Sequence, residues 1–357
     1  MLIREKTRQL QIGNLKLGGQ NQVIIQSMTN TLTSDIKETT KQIIELEEAG
    51  VQMIRLAIFN STDALAIKEL KTKSKVPLIA DIHFDYRLAL LALENGIDKI
   101  RLNPGNISDK KQLKEVIDLC KKRKVPIRIG VNAGSLPNDI LQKHKKISAE
   151  AMLEAAKKHI TLLQEEDFHD ICLSFKASNP NLCIEAYQLA SSIYDYPLHL
   201  GVSEAGPLLQ SCVRSSAALG ILLNQGIGDT IRISISGDPT LEVKAAKELL
   251  ACFKLTADFP SIISCPTCGR LQYSMLDIIA PLEDHIKTLK VPLKIAVMGC
   301  AVNGPGEARE ADIGIAGGKD EVLLFKRGEI IRKIAKENIL KEFLEEITLM
   351  SKSINKN

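Results

Sequence analysis

From residue 20 to about 253, short apolar β-branched runs alternate with longer amphipathic stretches, and eight such units can be counted. That alternation constrains the fold more than any other feature, because parallel strands joined by helices are the arrangement it permits. The predicted strands are Val23–Ser27, Met53–Ala57, Leu78–Asp81, Lys99–Leu102, Ile127–Val131, Ile171–Phe175, Leu198–Val202 and Thr230–Ile235. Helices fill the gaps, with Ile36–Ala49 after the first strand and Ala149–Glu166 after the fifth. Closing a sheet on itself needs that number of strands and leaves no edge, whereas no Gly-x-Gly-x-x-Gly follows the first strand to support a doubly wound sheet. The expected class is therefore α/β, with a (β/α)8 TIM-type barrel over residues 1–255.

Near Thr256–Pro260 the repeat stops, and residues 256–357 have the rhythm of a small α+β domain. Its expected strands are Ile262–Ile263, Leu293–Val297, Asp312–Ala316, Glu321–Phe325 and Glu329–Ile331, with one helix running through His285 and another over Lys336–Met350. The 357 residues, 45% of them hydrophobic, suffice for one large and one small core. A net charge of +4 with no arginine-rich arm argues against a nucleic-acid partner. The N-terminal residues lack the apolar core of a signal peptide, and no later apolar run reaches the roughly 18 residues needed to span a bilayer. A cytoplasmic protein is expected.

Eight cysteines without export signals belong in a reducing compartment. Cys120, Cys172, Cys183, Cys212 and Cys252 sit in apolar surroundings and read as core filler. Cys265 and Cys268, in Ser-Cys-Pro-Thr-Cys-Gly-Arg, and Cys300, in Met-Gly-Cys-Ala-Val-Asn-Gly-Pro-Gly-Glu, stand apart from them. Both motifs directly follow predicted strands, so the three thiols can converge at one end of the small sheet. With no second Cys-x-x-Cys, a fourth metal ligand has to be something else, and Glu307 is the nearest oxygen donor. Zinc on this set would be structural or hydrolytic. An iron-sulfur cluster would leave one iron with a replaceable ligand and could pass electrons. The glycine-rich loop behind Cys300, which brings backbone N–H groups near sulfur, favours iron.

Polar residues at the C-terminal ends of barrel strands converge on one mouth. Arg55, Arg101, Arg128, Lys176 and Arg232 end or follow strands two, four, five, six and eight. Some of these cations are expected to pair with Asp81 and Glu204, but they outnumber those carboxylates, and guanidinium forks suit phosphate oxygens. A diphosphate-bearing ligand is expected. Asp81, His83, Asn103, Asn132, His199 and Glu204 are the candidate proton handlers. Glu204, in Gly-Val-Ser-Glu-Ala-Gly, is the first choice as general acid, provided burial raises its pKa. His144, His159, His169 and His285 read as surface residues.

A series of motifs runs nearly the length of the chain in order: Val-Ile-Ile-Gln-Ser-Met-Thr-Asn-Thr (23–31), Ala-Asp-Ile-His-Phe (80–84), Ile-Arg-Leu-Asn-Pro-Gly-Asn (100–106) and Arg-Ile-Gly-Val-Asn-Ala-Gly-Ser-Leu (128–136). His-Leu-Gly-Val-Ser-Glu-Ala-Gly (199–206) and Gly-Ile-Gly-Asp-Thr-Ile-Arg-Ile-Ser (226–234) follow, and then the two cysteine motifs. Together they resemble the 4-hydroxy-3-methylbut-2-enyl diphosphate synthases of the methylerythritol phosphate route to isoprenoids, in their two-domain form. The resemblance implies reductive ring opening of methylerythritol cyclodiphosphate. It also implies a 4Fe-4S cluster on Cys265, Cys268, Cys300 and Glu307. Diphosphate binding would fall to Arg101, Arg128, Lys176 and Arg232, with Asn132 and Ser234 beside them and Glu204 as proton donor. Arg55, Asp81 and His83 match family positions in the same substrate-binding set. The resemblance further implies a homodimer whose cluster domain closes over the partner's barrel, and flavodoxin or ferredoxin as electron donor. From a different class, the competing reading is a zinc-stabilised barrel lyase or hydrolase acting on a sugar phosphate.

Overall fold

The computed structural model describes residues 3–83, 85–107, 109–257, 259–289, 291–300, 308–318 and 320–354. The chain divides into two compact units, Met1–Thr256 and Ala257–Asn357.

The first unit opens with an antiparallel hairpin, β1 (Leu10–Ile12) and β2 (Leu15–Leu17). Eight parallel strands follow: β3 (Ile24–Met28), β4 (Met53–Ala57), β5 (Leu78–Asp81), β6 (Lys99–Arg101), β7 (Ile127–Asn132), β8 (Ile171–Lys176), β9 (His199–Leu200) and β10 (Thr230–Ile231). They are ordered β8-β7-β6-β5-β4-β3-β10-β9, and a parallel bridge between Leu173 and Leu198 joins the two ends, so the sheet closes as expected. Outward residues such as Ile54, Leu56, Ile100, Ile127, Ile129 and Leu173 pack under the surrounding helices. The strand period of two then turns Arg55, Arg101, Arg128 and Ser174 to the interior. Several helices begin right after a strand end with a side-chain cap, among them Asn60, Asp85, Asn179 and Asp238, each accepting a backbone N–H of the first turn.

Two features differ from expectation. The β1–β2 hairpin turns at Gly13-Asn14 with Gly13 at φ 54°, and it buries Leu10, Ile12 and Leu17 against Ile24, Met53, Ile79 and Cys172, sealing the barrel floor. Strand β10 is shorter than predicted because the Ile235 N–H is taken by the Glu242 carboxylate and the Ser236 N–H by the Gly206 carbonyl, which pulls the chain out of the ladder.

In the second unit, β11 (Ser261–Ser264), β12 (Lys294–Met298) and β13 (Ile313–Gly317) run parallel, and β14 (Glu321–Lys326) and β15 (Glu329–Ala335) add to them antiparallel. The helices Leu276–Ile286 and Ile339–Ile354 supply Ile278, Leu282, Phe343 and Ile347 to a core with Ile295, Val297 and Ile315. Strand β15 runs four residues past its expected end. It is an edge strand, so Arg332 can face solvent and pair with Glu342 and Glu346 of the last helix.

Candidate active site

Asp81, at the end of β5, is the hub of the barrel mouth. Its carboxylate lies 3.7 Å from Arg55 Nε, 3.4 Å from Arg101 Nη1 and 3.8 Å from His83 Nε2. Burial alone would raise its pKa, but Arg55, His83 and Arg101 hold it well below the usual carboxylate range. Burial lowers the Arg55 guanidinium to about 9 and that of Arg128 to about 10, so both remain cationic at neutral pH. Arg128 donates to Ser174 Oγ at 2.7 Å. The Lys176 amine is pushed well down by burial and by Arg55, Arg128 and Arg232. Among the described residues, neither Arg128 nor Lys176 has an ion-pair partner.

Arg232 pairs not with Glu204 but with Glu242, whose Oε1 lies 2.9 Å from its Nη2. Three of the five basic side chains at the mouth, Arg55, Arg101 and Arg232, therefore pair with two carboxylates, Asp81 and Glu242, while Arg128 and Lys176 pair with none among the described residues. The Met28 thioether lies 3.0 and 2.9 Å from Arg55 Nε and Nη2 and 3.7 Å from Arg232 Nη1, so it orients guanidiniums without neutralising them. Gly201 is required by close approach: a Cβ there would lie 2.9 Å from Lys176 Nζ and 3.0 Å from the Arg232 carbonyl oxygen. Such an excess of basic side chains over carboxylates around one mouth can attract an anion.

Asn132 ends β7 opposite Lys176 in register, half-buried, and Ser234 is half-buried just beyond β10. Glu204 is exposed and adopts φ 53°, in the left-handed region that L side chains rarely enter. The surrounding loop is tied down by Ser203 N–H to the Ala177 carbonyl and by Arg214 Nη1 to the Ala205 carbonyl.

Four expectations are corrected. His199 is fully buried below the rim, 3.4 Å from Thr230 Oγ1, and burial with Lys176, Arg128, Lys99 and Arg55 nearby pushes its pKa far down, so it is a neutral interior ring. Asn103 exchanges two 2.9 Å hydrogen bonds with the Gly130 backbone and serves as a strand tie. His159 is half-buried rather than a freely solvated surface residue: its Nδ1 accepts the Gly105 N–H at 2.9 Å, and burial, Lys158 and Arg101 lower its pKa to about 4. Asn106 in that same turn donates to the His83 carbonyl at 2.8 Å, so His159 supports the loop carrying His83. Among the scattered cysteines, Cys252 is exposed rather than core filler.

In the second unit, Cys265 directly follows β11 and Cys300 follows β12 by two residues; the strands are parallel neighbours with Ser264 opposite Val297. The Gly299 N–H points at Cys265 Sγ at 3.2 Å, and a Cβ on Gly299 would meet Leu271 Cδ1 at 2.5 Å. Cys268 is exposed, and the Arg270 backbone N–H, aided by its side chain, lowers its thiol pKa. The Tyr273 hydroxyl is buried without a hydrogen-bond partner among the described residues, and its pKa is raised by burial and by Cys265. No three described His, Cys, Asp or Glu side chains form a group that could hold a single metal ion. A multi-iron cluster instead distributes its thiolates over separate irons. The donor set of soft thiols, a backbone N–H aimed at sulfur and an orphaned hydroxyl fits such a cluster. Glu307 lies outside the described residues.

Residues 7–247 match the family model of the GcpE TIM-barrel domain, and residues 261–349 match that of the GcpE protein C-terminal domain. The chain belongs to the GcpE family. It is 52% identical over 354 residues to the 4-hydroxy-3-methylbut-2-en-1-yl diphosphate synthase (flavodoxin) of Bacillus cytotoxicus, covering 99% of this chain and 96% of the relative. The similarly named protein of Bacillus mycoides is 52% identical over 351 residues, 98% of this chain and 96% of its own. Among solved structures, the phospho-2-dehydro-3-deoxyheptonate aldolase of Thermotoga maritima aligns with a TM-score of 0.50 at 15% identity over 70% of this chain and 73% of its own, a likeness of fold alone.

Within this GcpE barrel, sequence reasoning missed Glu242, Met28, Ser174 and Lys99. Glu242 sits in the first turn of the helix Pro239–Cys252, where an acidic residue ordinarily reads as a solvated complement to the helix dipole. Lys99 is completely buried below the rim, its amine without a hydrogen-bond partner among the described residues, and burial lowers its pKa.

Proposed function

We propose that the barrel mouth of this GcpE protein grips the diphosphate of methylerythritol cyclodiphosphate, and that Cys265, Cys268, Cys300 and Glu307 hold a 4Fe-4S cluster that serves the same substrate. As a family member the chain is an enzyme, and its reaction forms 4-hydroxy-3-methylbut-2-enyl diphosphate for isoprenoid synthesis. Two electrons enter the cyclic diphosphate, a C–O bond to phosphate opens, and a hydroxyl leaves as water. When bound on Cys265, Cys268, Cys300 and Glu307, the cluster would supply those electrons one at a time. The zinc-stabilised lyase or hydrolase reading gives way to the family's activity.

The protein's own groups account for the rest. Arg101, Arg128, Lys176 and Arg232 bind the diphosphate oxygens, with Asn132 and Ser234 donating hydrogen bonds beside them. Asp81 orders Arg55, Arg101 and His83 around that anion. Glu204 donates the proton to the leaving hydroxyl. Its exposed carboxyl lacks the burial a general acid needs, so water exclusion on substrate binding has to provide it. The carrying observation is the mouth's excess of buried cations over Asp81 and Glu242. Reduced flavodoxin is the proposed donor, in keeping with the relatives' names. A homodimer with the site shared between subunits, in the cytoplasm where thiols stay reduced, completes the proposal. No helix among the described residues is long and apolar enough to cross a membrane.

The test is an anaerobic assay with the cyclodiphosphate and reduced flavodoxin. Release of the linear allylic diphosphate is expected. Intact cyclodiphosphate after many equivalents of reductant would refute the proposal.

A further inference from the structure

We infer that Glu242, which belongs to no barrel strand, is a positioning residue for the substrate: it fixes Arg232 so that one edge of its guanidinium faces the diphosphate. The inference rests on the reading of Arg232 as a diphosphate ligand. The Glu242 side chain is 2% exposed. Its Oε2 accepts from Arg232 Nε at 2.9 Å and from Ser27 Oγ at 2.7 Å. Its Oε1 accepts from Arg232 Nη2 at 2.9 Å and from the Ile235 N–H at 3.1 Å. Four donors fill the carboxylate's acceptor sites, so Glu242 has no capacity left to turn elsewhere.

The consequence for Arg232 follows from guanidinium geometry. Of five N–H bonds, the Nε and one Nη2 hydrogen form the side-on edge, and Glu242 occupies that edge. The end-on pair, one hydrogen each from Nη1 and Nη2, remains for a second oxyanion; among the described residues, the Met28 sulfur at 3.7 Å is the hydrogen-bond partner of Nη1. A guanidinium clamped on one edge binds a phosphate on the other without first losing rotamer freedom. The same carboxylate ties β3 through Ser27, the segment after β10 through Ile235, and its own helix into one rigid corner. Positioning and charge pull in opposite directions here. If Glu242 merely damped the positive charge of Arg232, its neutralisation would tighten anion binding; if it aims Arg232, neutralisation weakens it.

Four proteins separate the possibilities: wild type, Glu242→Gln, Arg232→Ala and the double variant. Each is assayed anaerobically for KM and kcat and for competitive inhibition by inorganic pyrophosphate, with thermal melting as a fold control. Glu242→Gln is expected to raise KM and the pyrophosphate inhibition constant about tenfold, to change kcat less than about twofold, and to add no more than about twofold in KM to Arg232→Ala. A KM that is unchanged or lower in Glu242→Gln, or equal effects in both backgrounds, overturns the proposal. An unchanged KM in Arg232→Ala overturns instead the reading of Arg232 on which it rests. If Glu242→Gln does not fold, Glu242→Asp, which keeps the charge but shortens the reach, replaces it in the same cycle. Coupling to Arg232 below about twofold then counts against the proposal.

Discussion

Replacing Asp81 with asparagine removes the one carboxylate that Arg55 and Arg101 share while leaving the shape of the site nearly intact. Those partners lie 3.7 and 3.4 Å away, and the Asp81 side chain is 11% exposed, so solvent screens the interaction little. Breaking a buried pair on one side strands the remaining charge, which costs about 3–5 kcal/mol. For a unit of this size each kcal/mol lowers Tm by about 2–4 °C, so the barrel should melt on the order of 10 °C lower. A second effect has the opposite sign. With the carboxylate gone, added anion meets more uncompensated cation, so saturating inorganic pyrophosphate should raise the Tm of Asp81→Asn by more degrees than that of wild type. Scanning fluorimetry with and without pyrophosphate measures both. A Tm within about 2 °C of wild type would mean that the Asp81 pairs do not hold the mouth together as described, and equal gains from pyrophosphate would mean that Asp81 does not offset the charge of the mouth cations.

Arg128→Ala should chiefly raise KM for the cyclodiphosphate, because its role is recognition; an unchanged KM in steady-state kinetics contradicts it. Gly201→Ala sets a methyl group 2.9 Å from Lys176 Nζ and 3.0 Å from the Arg232 carbonyl oxygen, so the Lys176 amine has to shift and kcat/KM should fall by about a hundredfold while the fold persists in circular dichroism. The His159 pKa is lowered from 6.5 to about 4 in the folded state, so its contribution is fully present above 6.5 and is lost as pH falls through about 4. Thermal melts between pH 7 and 4 should therefore show an acid-dependent loss of about 3 kcal/mol at most, which His159→Gln flattens. Glu307→Ala should lower iron retention and turnover, and full activity by iron assay and kinetics would remove Glu307 from the site.

The closed barrel was legible because its signal is periodic. Residues such as Ile54, Leu56, Ile127 and Ile129 declare a helix-covered strand, and the alternate positions then deliver Arg55 and Arg128 to the interior. The mouth cations were legible for the same reason, since charge inside an apolar run has to be accounted for. Glu242 was not legible, because ten residues separate it from Arg232 and only the packing of its helix shows the carboxylate turned inward. His159 was hidden likewise: its neighbours Lys157 and Lys158 are exposed, so the local sequence reads as solvent-facing while the ring reaches the Gly105 turn. The floor hairpin escaped because its strands are three residues each, too short for a periodic pattern to register. Glu204 was picked from its loop, yet sequence could not show that the residue itself, as well as the flanking Gly206, takes a positive φ.

The most direct test of the proposed cluster on Cys265, Cys268, Cys300 and Glu307 is the iron and acid-labile sulfide content of protein purified and reconstituted without oxygen. About four irons and four sulfides per chain are expected, in a brown protein that loses both when Cys300 is replaced by serine. Protein that holds neither iron nor sulfide under those conditions, yet still opens the cyclodiphosphate, would contradict the proposed mechanism at its centre.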